Sequence, residues 1–150
     1  MKHFIAYPFS KIIDTDTGLV NHWDTRFLTH MRDYLLEINH DVFLAHFREN
    51  WGKDLMTDKE CTVDDYKEMT ESDVVMAFPG NPISGGVHIE LGWASSLKKK
   101  IYMFLEEGAY YSPLITGLGE ITDVTYFYYD TQANLKKIVD QLLERSICYV

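Results

Sequence analysis

The chain is predicted to be a doubly wound α/β domain of the flavodoxin or Rossmann type, with five parallel strands in the order 2-1-3-4-5 and helices on both faces. Three observations predict it. Five short apolar or aromatic runs stand out as strands, and segments with helical spacing lie between them. One run, Val74-Val75-Met76-Ala77-Phe78, is continuously apolar, as a strand buried on both faces requires. No linker, repeat or low-complexity tract divides the chain, so residues 1–150 are read as one domain.

The strands are placed at His3 to Tyr7, Asp41 to Ala45, Asp73 to Phe78, Lys100 to Leu105 and Val124 to Tyr129. Leu28, Met31, Leu35 and Ile38 recur at three and four residues and define a helix after strand one. Asp64 and Asp65 fall in a short helical segment ending near Thr70. A further helix spans Val87 to Leu97, and the last carries Leu135, Ile138, Val139, Leu142 and Leu143.

Composition narrows the function. The 150 residues carry 14 basic and 23 acidic side chains, a formal charge of −9, with 46% hydrophobic residues. Such an acidic domain repels polyanions, which argues against a nucleic-acid polymer or an anionic membrane as partner but leaves room for one locally held phosphate. Apolar runs such as Ile101 to Leu105 fall far short of the roughly 18 residues that span a bilayer, and Pro8 interrupts the N-terminal run. A cytoplasmic chain is expected. Cys61 and Cys148 are far apart and form no CxxC pair, so both are read as reduced thiols. The histidines at 3, 22, 30, 40, 46 and 88 show no metal-ligand spacing, and no metal or cofactor is expected.

In doubly wound sheets ligands sit at the carboxyl ends of the strands where the winding reverses. That places the site at two loops, Tyr7-Pro8-Phe9-Ser10-Lys11 after strand one and the Pro79 to Gly86 turn after strand three. In the second, Gly85 and Gly86 bare main-chain N–H groups, Ser84 adds a hydroxyl and the following helix adds partial positive charge, which together suit a phosphate. The glycines could equally only turn the chain, and Ser84 only cap the helix. The loop is neither a Walker A motif nor a GxGxxG fingerprint.

Glu90 falls about one turn beyond this loop, where a helix N-terminus should favour its ionised form. A carboxylate there can attack an anomeric carbon or stabilise an oxocarbenium-like cation; a glutamate that merely stabilises the helix is the plainer alternative. His88-Ile89-Glu90 matches the H-x-E of zinc deaminases, but no Pro-Cys-x-x-Cys follows. The Gly-x-Ser-x-Gly elbow of serine hydrolases is also missing. Tyr7 and Phe9 offer aromatic faces, Tyr7 with the stronger claim to core packing.

Three segments resemble the nucleoside 2-deoxyribosyltransferase superfamily: Ala6-Tyr7-Pro8-Phe9, Asp65 through Ser72-Asp73-Val74-Val75-Met76-Ala77, and Ser84-Gly85-Gly86-Val87-His88-Ile89-Glu90-Leu91-Gly92-Trp93-Ala94. Ala45-His46, Glu49-Asn50-Trp51-Gly52, Ala77 to Pro82 and Thr116-Gly117-Leu118 look more narrowly like the cytidylate hydrolases of nucleoside-antibiotic pathways. The resemblance implies Glu90, Asp65 and Tyr7 as catalytic residues, with Glu90 acting at C1′ and Asp65 near the sugar hydroxyls. It implies a 5′-phosphate held by Ser84, Gly85, Gly86 and Ser112, the last reaching into the site of a second subunit in a homodimer. Phe9 and His46 would lie at the base. Where deoxynucleotide hydrolases carry a glycine-rich loop with an arginine, this chain has Phe9-Ser10-Lys11, and Lys11 is the cation offered in its place.

The implied activity is hydrolysis of a pyrimidine nucleoside 5′-monophosphate, CMP or 5-hydroxymethyl-CMP, to free base and ribose 5-phosphate. The alternatives are a nucleoside 2-deoxyribosyltransferase, a 2′-deoxynucleoside 5′-monophosphate N-hydrolase and, less favoured, a non-catalytic nucleotide sensor.

Overall fold

The computed structural model describes residues 1–80 and 83–147. Asn81 and Pro82 of the phosphate-loop expectation, and Cys148, lie outside the described residues. Five strands, β1 (Lys2–Ala6), β2 (Asp41–Phe43), β3 (Val74–Ala77), β4 (Lys100–Glu106) and β5 (Val124–Tyr129), pair in parallel in the order β2-β1-β3-β4-β5. The predicted topology is therefore the observed one. The expected strands mostly shift by a residue or two at an end, and β5 matches at both.

Side-chain alternation divides the core in two. Phe4, Ala6, Val75, Ala77, Met103 and Leu105 point to one face, where they meet Met69 of α3 (Asp58–Glu71) and Val87, Leu91 and Ala94 of α4 (Gly85–Ser96). Ile5, Met76, Phe78 and Phe104 point to the other, against α1 (His22–Glu37) and α6 (Gln132–Ile147). All four residues of β3 are buried because it is the central strand, covered on both faces. Shorter helices α2 (Ala45–Arg48) and α5 (Pro113–Thr116) follow β2 and β4. Among the described residues no helix is long and apolar enough to cross a membrane.

Two helices differ from the sequence reading. The segment around Asp64 and Asp65 is a 14-residue helix. It starts at a capping box, with Glu60 N donating to Thr57 Oγ1 at 3.3 Å and Thr57 N to Glu60 Oε2 at 3.1 Å. Helix α4 begins at Gly85, not Val87, so both glycines are helical and Ser84 is the N-cap.

The Glu49-Asn50-Trp51-Gly52 segment has a structural reason. Asn50, Trp51 and Gly52 all have positive φ, and a Cβ on Gly52 would lie 2.8 Å from the Gly18 carbonyl oxygen. The turn ties to the loop before α1 through Val20 N donating to Trp51 O at 3.0 Å. The Glu49 carboxylate turns inward to accept from Met56 N at 3.0 Å.

Candidate active site

The carboxylates expected to do chemistry come from α3 and α4, which pack through Tyr66 edge-on to Trp93 at 5.3 Å. Arg48, at the end of α2, reaches α3 with a single nitrogen. Its Nη1 donates to Asp64 Oδ2 at 2.5 Å and to Asp65 Oδ1 at 2.6 Å. Burial raises the Asp65 carboxyl, helped by the negative charges of Asp64 and Glu68, while Arg48 pulls it down.

Glu90 stands in the second turn of α4 and is held well above the ordinary glutamate range. Burial is the main cause and the Asp65 carboxylate adds to it, while the Arg48 guanidinium acts in the opposite direction. The expectation of easy ionisation is thus corrected. The helix field fades beyond the first turn, and desolvation outweighs what is left of it.

Ser84 brings α4 to the carboxyl edge of the sheet. Its amide donates to Pro79 O at 2.9 Å, and its hydroxyl oxygen accepts from Val87 N at 3.4 Å. His88 folds back over the same turn, with Nδ1 2.6 Å from Ser84 O, so Nδ1 carries the proton. A Cβ on Gly85 would meet nothing within 4 Å, and one on Gly86 only Ser84 Oγ at 4.0 Å. Neither residue has positive φ. Neither packing nor backbone conformation therefore demands glycine here; Gly85 and Gly86 are both exposed, which leaves their amides within reach of an anion.

Tyr7 points toward α1. Its hydroxyl donates to Asp24 Oδ1 at 2.5 Å, and its ring packs on Phe27 and Phe78. Burial and the Asp24 carboxylate raise the phenol, so Tyr7 stays neutral. With Lys11, Pro8, Gly80, Glu106 and Tyr129 it lines a cavity of about 290 Å³ at the strand ends; Glu90, Asp65 and Ser84 do not line it. Tyr7 and Lys11 are therefore brought together on the α1 side, apart from the cluster of Glu90, Asp65 and Arg48.

Phe9 stacks on His46 with ring centroids 4.6 Å apart, and Tyr7 meets His46 edge-on at 5.9 Å. His46 is only 1% exposed, with Nε2 2.9 Å from Pro8 O, so it backs Phe9 from within. Burial takes its imidazole down to about 4. Ser112 caps α5, its hydroxyl oxygen accepting from Leu114 N at 3.3 Å. It lines a largely apolar cavity of about 440 Å³ with His88, Leu91, Gly92 and Leu114, between α4 and α5. Among the described residues no three His, Cys, Asp or Glu side chains converge as metal ligands.

Solved structures share this architecture. The CMP N-glycosidase BcmB of Clostridium botulinum aligns with a TM-score of 0.71 and 29% identity, covering 95% of this chain and 99% of that one. BlsM, known from its solution structure, aligns with a TM-score of 0.77 and 34% identity over 96% of this chain and 90% of its own. The chain belongs to the nucleoside 2-deoxyribosyltransferase superfamily. Within that superfamily it is an enzyme of the N-glycosidase kind. A 2-deoxyribosyltransferase from Bacillus psychrosaccharolyticus shares the fold at 15% identity and a TM-score of 0.55, over 95% of this chain and 96% of that one. No family model matches the sequence, and no curated protein matches it.

In this superfamily member two site residues escaped sequence reasoning. Asp24 is signalled by the Asn21 cap three residues before it, which accepts from Asp24 N at 3.0 Å. Arg48 carries no local signal beyond its place two residues after His46, because its partners lie 16 and 17 residues away on α3.

Proposed function

We propose that the enzyme hydrolyses the N-glycosidic bond of a pyrimidine nucleoside 5′-monophosphate, CMP or 5-hydroxymethyl-CMP. The observation that carries this reading is the start of α4, where two glycines that the fold does not require open the helix amides one turn before a half-buried glutamate. The likeness to a CMP N-glycosidase supports the choice of base.

The 5′-phosphate is held by the Ser84 hydroxyl and the amides of Gly85 and Gly86, with Ser112 contributed by a second copy of the chain; Lys11, which lines the cavity on the α1 side, is not placed on it. Phe9, backed by His46, stacks on the base. Asp65 orients the sugar hydroxyls, while Tyr7, bonded to Asp24 on the α1 side, has a structural part. Ionised Glu90 attacks C1′ as the C–N bond breaks, and the departing base takes from solvent a proton that the later attack of water on the glycosyl ester returns. Water then cleaves the glycosyl ester, giving ribose 5-phosphate and restoring Glu90. Phosphate binding far from the bond positions C1′, so its loss lowers kcat as well as raising KM.

The test is a panel of CMP, 5-hydroxymethyl-CMP, dCMP, UMP, GMP and cytidine, assayed chromatographically for free base. Release from CMP or its hydroxymethyl form, with cytidine much slower, is expected. No base from any nucleotide overturns the reading, as does deoxyadenosine formed from deoxycytidine and adenine without hydrolysis.

A further inference from the structure

The cavity of about 290 Å³ on the α1 side of the sheet edge has no part in the proposed hydrolysis. Four strands meet there: Tyr7 and Phe78 directly follow β1 and β3, and Glu106 and Tyr129 end β4 and β5. Trp23 of α1 adds a fourth aromatic side chain to the lining. The volume lies at the small end of the roughly 300–1,000 Å³ usual for ligand pockets, which suits a molecule the size of a free base.

Its polar groups select against phosphate. Asp24, Glu106 and Asp130 line the cavity against a single cation, Lys11, so a nucleotide dianion is repelled and a ligand rich in N–H donors is favoured. Asp24 is already engaged by Tyr7 and Asn21, and Asp130 Oδ1 accepts from Thr131 Oγ1 at 3.2 Å. Among the described residues the Glu106 carboxylate has neither a hydrogen bond nor an ion pair, and the Lys11 ammonium has none either. Burial keeps the Tyr129 phenol protonated, helped by Tyr111 and Glu106, so it is available as a donor. The cavity thus offers a carboxylate that can accept, a phenol and an ammonium that can donate, and rings that can cover a flat ligand.

Resting on the hydrolase reading for the source of the ligand, we propose that this cavity binds a free aminopyrimidine base of the kind the reaction releases, with Glu106 accepting from the exocyclic amine. Tyr129 and Lys11 donate to the ring nitrogen and the carbonyl, and the aromatic walls cover the ring. The cavity adjoins the catalytic loops through Pro8 and Gly80, which both line it. Pro8 O accepts from Nε2 of His46, the ring behind Phe9, at 2.9 Å, and Pro79 O accepts from Ser84 N at 2.9 Å. Base and nucleotide are therefore held together, one on each side of the sheet edge.

Cytosine is titrated into the protein while the indole N–H signal of Trp23, assigned by its loss in Trp23→Phe, is followed by NMR. A saturable shift is expected, and uracil, which brings a carbonyl to Glu106 in place of the amine, binds at least about tenfold more weakly. Glu106→Leu removes the acceptor and weakens cytosine by about the same factor, while kcat/KM for CMP stays unchanged. In Glu90→Gln saturated with CMP the response of Trp23 to cytosine persists. Equal binding of cytosine and uracil overturns the proposal, as does an unmoved Trp23 signal, a response abolished by CMP, or a Glu106→Leu protein that binds cytosine as the parent does. Should Glu106→Leu fail to fold, the comparison of cytosine with uracil on the parent protein decides. If CMP yields no free base, the hydrolase reading falls, and the cytosine titration still decides what the cavity binds.

Discussion

The Tyr7 hydroxyl and Asp24 are joined by a 2.5 Å hydrogen bond that crosses from the end of β1 to the first turn of α1. Asp24 also takes Asn21 Nδ2 at 2.5 Å, so its two oxygens hold different donors in a largely buried setting. Tyr7→Phe deprives one oxygen of its donor and is expected to destabilise the fold by about 1–3 kcal/mol. Urea unfolding measures the change, and an unmoved midpoint would mean that the bond contributes nothing in solution.

Glu90 ties activity and stability to pH in opposite directions. Its folded-state carboxyl lies above the ordinary value, so the stability it confers is full at acid pH and is lost as pH rises through the folded value. On the proposed mechanism activity needs the charged form and rises over the same interval. Glu90→Gln is expected to lower base release at least 100-fold while raising Tm at neutral pH, and the gain in Tm should disappear toward pH 4. Activity within tenfold of the parent would remove Glu90 from the chemistry.

The glycines of α4 give a third prediction. Gly86→Ala adds a good helix former where a Cβ meets only Ser84 Oγ at 4.0 Å, so Tm should hold or rise, by up to about 1 kcal/mol in stability. The KM for CMP should nevertheless increase about tenfold while that for cytidine stays constant. An unchanged KM for CMP, measured by the same base-release assay, would leave the first-turn amides without a phosphate.

The parts that were legible in the sequence are those in which neighbouring residues carry the signal. Val74-Val75-Met76-Ala77-Phe78 announces a central strand because a strand covered on both faces needs apolar side chains on both. Thr57 and Glu60 announce the start of α3 just as locally, and recognising that capping box would have given the helix its full length. What stayed hidden depends on residues far apart in the chain. Arg48 finds Asp64 and Asp65 only after the chain folds, and the burial that reverses the ionisation expected of Glu90 comes from packing that no local pattern encodes. Tyr7 shows the same limit: alternation along β1 indicates burial, but the partner of its hydroxyl is set by α1.

The Ser84 cap carries a consequence for any anion that arrives at α4. The Val87 amide is already engaged by Ser84 Oγ at 3.4 Å, so a phosphate that takes this amide enters by displacement and the number of hydrogen bonds barely changes. The advantage of the exchange is then the difference between a neutral hydroxyl and a dianion facing the same helix terminus. Recognition of this kind weighs charge above shape: it weakens with added salt and strengthens as the phosphate loses its second proton near pH 6. A domain with a net charge of −9 can thus distinguish a nucleotide from its nucleoside without presenting a basic surface.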